Sequence, residues 1–153
     1  MRAYYEITTA LKNQLQSQQI NLVTLGDMAE IDIDKQGIYP LAHLLIEQAR
    51  VNVQTVEFDI NIIFADLIDI SKDNKKEGTP FYGNDNRQDV LNAMLHEGNI
   101  LTQHLMRGNL FSFNYQVIDA PTLDPFVNRF TNLLGGWILS FTVTIPNTDT
   151  SIC

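Results

Sequence analysis

Two segments of the chain have the three- and four-residue spacing of apolar positions that is typical of amphipathic helices. The first runs from about residue 3 to residue 19. The second begins near Asn86, which can cap it, and ends at Gly108, a residue type that commonly follows a helix. The apolar stripes are Tyr4, Ile7, Leu11 and Leu15 in the first helix, and Val90, Met94, Leu101 and Leu105 in the second.

The clearest strand signal is a strict alternation of apolar and polar side chains from Val56 to Phe64. A period of two places one set of side chains on the core side of a sheet and the other set on the outside. We predict a hairpin partner for this strand at Leu41–Val53, with the turn near Gln54 and Thr55. The predicted core residues are Phe58, Ile60, Ile62 and Phe64, and the outward residues are Glu57, Asp59 and Asn61.

Three more strands are predicted, over Ile20–Leu25, Leu110–Val117 and Trp137–Ile145. In the last of them Trp137 and Phe141 belong to the core set. Its outward residues are Ser140, Thr142 and Thr144. Before it, Asp124-Pro125 favours a short helical turn, which Gly135-Gly136 would end.

The order of these elements indicates an α+β fold, in which two main helices pack on one face of a mainly antiparallel sheet. A chain of 153 residues has the size of a single domain with one core, so we predict one domain over residues 1–153. Residues 71–86 are rich in Lys, Asp, Asn, Gly and Pro. They predict a long surface loop inside that domain, and loops of this length are commonly functional.

The composition narrows the class of protein. Only 18% of the residues are charged, below the roughly 25% of an ordinary domain. A chain with so few charges either covers itself with neutral polar groups or buries part of its surface against neighbouring proteins.

The net charge of −8 argues against a surface that neutralises nucleic-acid phosphates. The single cysteine, Cys153, provides no disulfide framework. With no targeting pattern or long apolar run in view, we expect a cytoplasmic protein with no membrane partner.

The sequence contains two incomplete matches to metal-binding motifs. His96-Glu97 begins like a zinc-protease motif, but Ile100 stands where the second histidine is required. Residues 32–37 begin like a calcium loop, but His43 occupies the position of the bidentate glutamate. We therefore predict no enzyme, no metal site and no cofactor. A hydrolase that uses Asp66, Asp69 and His43 stays open as an alternative.

The run from Asp124 to Trp137, followed by the alternating strand to Ile145-Pro146-Asn147, resembles neck and tail-completion proteins of tailed bacteriophages. Further likeness lies in Tyr39-Pro40-Leu41-Ala42-His43, in Phe64-Ala65-Asp66-Leu67 and in Gly83-Asn84-Asp85-Asn86, so that it spans roughly residues 20–153. The resemblance implies a tail terminator or head–tail connector subunit. Such subunits assemble as six- or twelve-fold rings between the portal and the tail. They contact neighbouring neck, portal-adaptor and tail-tube proteins, and DNA passes through the lumen.

On this hypothesis the protein is a structural component of the virion, made in the host cytoplasm, and no catalytic residue comes with the family. The outward polar side chains of the strands and the long loop are the candidate ring contacts. They are Glu57, Asp59, Asn61, Lys75, Lys76, Tyr82, Asn84, Ser140, Thr142 and Thr144. A net charge of −8 repeated around a lumen would repel DNA and let it slide, and whether the acidic stretch 27–34 lines that lumen stays open. The alternative is a monomeric phage or bacterial interaction or regulatory module.

Overall fold

The structure is a computed structural model, which describes residues 3–26, 38–68, 87–108, 110, 115–127 and 134–147. Two helices and five strands lie in these ranges. In chain order they are α1 (Ala3–Gln16), β1 (Leu22–Leu25), β2 (Leu41–Val51), β3 (Thr55–Leu67), α2 (Arg87–Arg107), β4 (Gln116–Val127) and β5 (Leu134–Pro146).

The strands form one five-stranded sheet with the order β1-β2-β3-β5-β4. β1 pairs with β2 in parallel, and the other three pairings are antiparallel. The predicted hairpin of β2 and β3 is confirmed, as is the α+β fold with a mainly antiparallel sheet. Thr55 pairs with Pro146 at one end of the β3–β5 ladder and Leu67 pairs with Leu134 at the other.

One face of the sheet, here the inner face, carries the larger apolar cluster. The alternate residues of β3 from Val56 to Phe64 belong to it. The predicted core residues Phe58, Ile60, Ile62, Phe64 and Phe141 are all buried, which confirms this part of the core. Buried residues of both helices belong to the same cluster, among them Leu11 and Leu101. The packing of both helices on one face stays a prediction.

The opposite face, here the outer face, is apolar at one end and polar at the other. Its apolar end is a smaller cluster of buried residues: Tyr39, Leu41, Ile63, Ala65, Phe126 and Leu134. The alternation predicted for β3 therefore holds up to Ile62 and then gives way to a fully buried run over residues 62–65. Both faces of the sheet are covered at this end, so a polar residue would be buried on either side.

The edge strand β4 corrects two predictions. It occupies Gln116–Val127, whereas the sequence favoured a strand over Leu110–Val117. Asp124-Pro125, predicted to open a helical turn, lies inside it. Proline is tolerated here because the N–H groups on the free side of an edge strand need no ladder partner. A register shift between Ile118 and Thr122 resets the pairing around Pro121.

Three other features differ from the sequence predictions: the position of two glycines, the end of helix α1 and the burial of Trp137. Gly135 and Gly136, predicted to end a helical turn, lie within β5, where both are buried. Helix α1 ends at Gln16, three residues before the predicted end at Gln19, and a turn follows it. Trp137, predicted as core, is half-buried at the margin of the larger cluster. The predicted loop over residues 71–86 and the acidic stretch 27–34 lie outside the described residues.

Candidate interaction surface

The outward polar residues of the two central strands lie directly opposite one another. Glu57 pairs with Thr144, Asp59 with Thr142 and Asn61 with Ser140. All six side chains are half-buried. We call these six residues the outer polar patch: Glu57, Asp59, Asn61, Ser140, Thr142 and Thr144. The structure thus brings together the six strand residues predicted as contacts.

An arginine on the neighbouring strand neutralises part of this patch. The two terminal nitrogens of Arg50 donate to the two carboxylate oxygens of Asp59, at 2.6 and 2.9 Å. Its Nε donates to Glu57 at 3.0 Å. The Thr142 hydroxyl donates to Asp59 Oδ1 at 2.7 Å. This bidentate arrangement fixes the guanidinium plane against the sheet, so the network spans β2, β3 and β5.

The network changes the acidity of its members. The hydrogen bond from Arg50, helped by that from Thr142, holds the pKa of Asp59 below its usual value. The hydrogen bonds to Asp59 and Glu57 in turn raise the pKa of Arg50. One arginine thus faces two carboxylate side chains, Asp59 and Glu57, so the formal charge of this part of the patch is negative.

A bulge in β2 brings Arg50 to the outer face. The ladder pairs Ile46 with Ile60 and then Gln48 with Asp59, so that Glu47 is the extra residue. Without the extra residue, Arg50 would point to the inner face. Glu47 accepts a hydrogen bond from the Asn61 side-chain amide. Sequence reasoning missed Arg50 because its role depends on this one-residue shift, which no local pattern marks.

One hydroxyl of the patch is not satisfied within it. The Oγ1 atom of Thr144 is buried and has no hydrogen-bond partner among the described residues. The hydroxyl of Thr142, two residues earlier on the same strand face, is bonded to Asp59. The patch is therefore a surface of neutral hydroxyl and amide groups around one charge network. The other predicted contact residues, Lys75, Lys76, Tyr82 and Asn84, lie outside the described residues.

Two residues of the hydrolase alternative, His43 and Asp66, lie in the described part of the chain and are on opposite faces of the sheet. His43 is fully buried and pairs with Ile63 of the outer face, where its ring bonds Thr24 and the carbonyl oxygen of Gly26. Asp66 is three residues beyond Ile63 in β3, so its side chain points to the inner face. Burial raises the pKa of Asp66. Asp69 lies outside the described residues.

His96 and Glu97 of α2 begin like a zinc-protease motif, but in the structure Glu97 is hydrogen-bonded to Gln18, after α1. His96 is exposed, whereas Glu97 is only 3% exposed. The side-chain amide of Gln18 donates both to Glu97 Oε2 at 2.8 Å and to the Glu97 carbonyl oxygen at 2.9 Å. Among the described residues no three His, Cys, Asp or Glu side chains are grouped as metal ligands would be.

No protein-family model matches the chain, and no curated protein sequence matches it significantly. In the described part of the chain, neither helix combines the length and the apolar character needed to cross a bilayer.

Proposed function

We propose that the protein is a structural subunit of a tailed-phage virion, which forms an oligomeric ring at the head–tail junction. It would act there as a tail terminator or a neck connector, joining the portal side to the tail while DNA passes through the lumen. The resemblance in sequence suggests this class. The observation that carries the proposal to this structure is the outer polar patch.

The patch has the character of a surface that contacts another protein. Its six residues lie opposite one another on two adjacent strands. Hydrogen bonds hold the side chains of Asp59, Thr142 and Asn61, so little of their side-chain entropy is lost when a neighbour covers them. Arg50 offsets part of its carboxylate charge, which lowers the cost of removing water from Asp59 and Glu57. Hydroxyl and amide groups supply the hydrogen bonds that a wet interface uses.

A ring requires two different faces of the subunit to fit each other, because every subunit contacts both its neighbours in the same way. In this proposal the patch is one of these two faces. Its net negative charge favours a neighbouring surface that is neutral or basic.

The direct test is the mass of the assembly. Sedimentation velocity and native mass spectrometry of the purified protein, alone and with its portal-side and tail-side neighbours, should show a six- or twelve-fold ring. A protein that stays monomeric under all these conditions contradicts the proposal and supports the monomeric interaction module instead.

Two variants test whether the outer polar patch lies in the ring interface. Ser140→Arg places a long cation in the middle of the patch, where Ser140 faces Asn61 and Thr122 on the two adjacent strands. We expect it to abolish ring assembly while the monomer stays folded. The matched control is Asn92→Arg, an exposed position of α2. Equal assembly of both variants would remove the patch from the ring interface.

A further inference from the structure

The two edges of the sheet are built differently. The edge strand β4 contains Pro121 and Pro125, and its pairing is interrupted between Ile118 and Thr122. Asp119, within this interruption, has a left-handed backbone with φ of 61°. Prolines, bulges and charges are the features by which proteins prevent a sheet edge from pairing with another chain. The β4 edge is therefore blocked against strand addition.

The β1 edge has none of these features. Its four residues, Leu22–Leu25, include no charge and no proline, and in the described part of the chain β2 is the one strand that pairs with it. Leu22 is 37% exposed and Leu25 is 43% exposed. An uncharged strand edge with exposed leucines is a template for a further strand.

The ladder with β2 shows which backbone groups of β1 face outward. The N–H of Leu22 donates to the Pro40 carbonyl at 3.3 Å, and that of Gly26 donates to the Leu44 carbonyl at 3.2 Å. Because alternate residues of a parallel strand bond to the same neighbour, Thr24 also directs its backbone groups to β2. Val23 and Leu25 therefore direct their N–H and C=O groups to the free edge.

We propose that this edge pairs antiparallel with β1 of a second copy of the chain, which joins the two sheets around a two-fold axis at Thr24. In this register Val23 lies opposite the partner's Leu25, and Leu25 lies opposite the partner's Val23. Both are hydrogen-bonded pairs, so each exchanges two N–H···O bonds. Thr24 lies opposite the partner's Thr24 in the non-hydrogen-bonded pair between them.

The second copy is the favoured occupant because β1 is complementary to itself. Its two outward-facing residues stand on either side of one central residue, as a two-fold axis requires, and none of its four residues is charged. The side chains of Val23 and Leu25 also line a groove of about 240 Å³ beside α1, together with Thr9 and Lys12. Paired residues share a face in antiparallel sheets, so the partner's Leu25 would lie along this groove and cover exposed apolar surface.

This contact is independent of the outer polar patch. It adds a two-fold contact to the proposed ring contact, and it would link two subunits or two rings back to back. Among the described strands, β1 is the edge without prolines or bulges, and pairing there would extend the sheet into the second copy.

Disulfide trapping tests the register. With Cys153 replaced by serine, Thr24→Cys places two thiols in a non-hydrogen-bonded pair whose Cα atoms are about 4.5 Å apart, within reach of a disulfide. In the control, Leu22→Cys, the two positions are about 14 Å apart, because four residues separate them along the strand. We expect a covalent dimer from Thr24→Cys under mild oxidation and essentially none from Leu22→Cys.

Leu25→Pro, added to the Thr24→Cys variant, tests the hydrogen bonds. It removes an outward N–H and no hydrogen bond to β2, so the domain should melt cooperatively while trapping at position 24 falls at least tenfold. Absence of the covalent dimer, or equal trapping at positions 22 and 24, would overturn the proposal. So would undiminished trapping when the variant with Leu25→Pro is folded. If that variant does not fold, the contrast between positions 22 and 24 still decides. Rings that form without trapping at position 24 would refute this contact alone, and a trapped dimer that never forms rings would refute the ring alone.

Discussion

The indole Nε1 of Trp137 donates a hydrogen bond to the backbone carbonyl oxygen of Leu91 at 2.7 Å. Trp137 lies in β5 and Leu91 in the second turn of α2, so this bond ties the helix to the sheet. It explains why Trp137 is half-buried when the alternation of β5 predicts a core position. The ring lies at the margin of the core, where its N–H can reach a polar partner.

Two substitutions separate the packing of Trp137 from its hydrogen bond. Trp137→Phe keeps most of the apolar contact and loses the donor, and should lower the free energy of unfolding by about 1 kcal/mol. Trp137→Ala also loses the ring, and should cost about 2–4 kcal/mol, somewhat less than a fully buried tryptophan. Urea unfolding measures both. Equal losses for the two variants would show that the indole contributes little through packing.

Gly136 permits the close approach of β5 to β3. A Cβ atom at this position would overlap the carbonyl oxygen of Phe64, and backbone atoms cannot move aside as a flexible side chain can. We expect Gly136→Ala to cost about 3 kcal/mol or more, or to prevent folding, as measured by thermal melting.

Gly98 provides the matched control for Gly136. It lies inside α2, where an added Cβ would meet Leu123 Cδ2 at 3.0 Å, the end of a side chain that can shift. Alanine also favours the helix over glycine by about 1 kcal/mol. Gly98→Ala should therefore be close to neutral. A loss as large as that of Gly136→Ala would contradict the assignment of a backbone clash to position 136.

Asp66 should destabilise the folded protein at neutral pH. Because burial raises its pKa in the folded state, stability falls as the pH rises from about 4 through that raised pKa, where the side chain ionises. Asp66→Asn retains an oxygen that can accept the hydrogen bond from the Leu67 N–H. It should raise the stability at pH 7 by less than about 1 kcal/mol, because the side chain is partly exposed. The gain should vanish below about pH 4.

Asp59 should have the opposite effect and stabilise the folded protein at neutral pH. Its pKa is lowered by Arg50, so its contribution is fully present above about pH 4 and is lost as the pH falls through the lowered pKa. Asp59→Asn should therefore be less stable than the parent at pH 7, and the difference should shrink in acid and in high salt. Chemical unfolding at several pH values measures both variants. The same sign for Asp59→Asn and Asp66→Asn at pH 7 would refute the assignment.

The bond between Gln18 and Glu97 connects the turn after α1 to α2. Gln18→Ala removes the donor to a buried carboxylate, and should cost about 1–3 kcal/mol. Adding Glu97→Gln to Gln18→Ala should recover part of this loss, because a neutral amide is easier to bury than a carboxylate. A double-mutant cycle of urea unfolding measures the coupling, and strictly additive losses would show that the two side chains act independently.

The faces of the central strands could be derived from the sequence. The alternation from Val56 to Phe64 placed Glu57, Asp59 and Asn61 on the side away from the main core, and the structure brings them opposite the outward residues of β5. A period of two depends only on the pleat of a strand, which is a local property. Most of the helical stripes follow from a local period in the same way: Ile7, Leu11, Val90 and Leu105 are all buried, whereas Tyr4, predicted in the first stripe, is 43% exposed.

The sequence by itself determined the α+β class, the two helices, the inner face of β3 and β5 and most of its core, because these follow from local periodicity and burial. Tertiary structure alone decided the position of β4 at an edge that tolerates Pro121 and Pro125, and the Glu47 bulge that turns Arg50 toward Asp59. It also decided the close approach that requires Gly136 and the contrast between the two sheet edges. These features depend on which strand lies beside which, and that order is set by contacts between residues far apart in the chain.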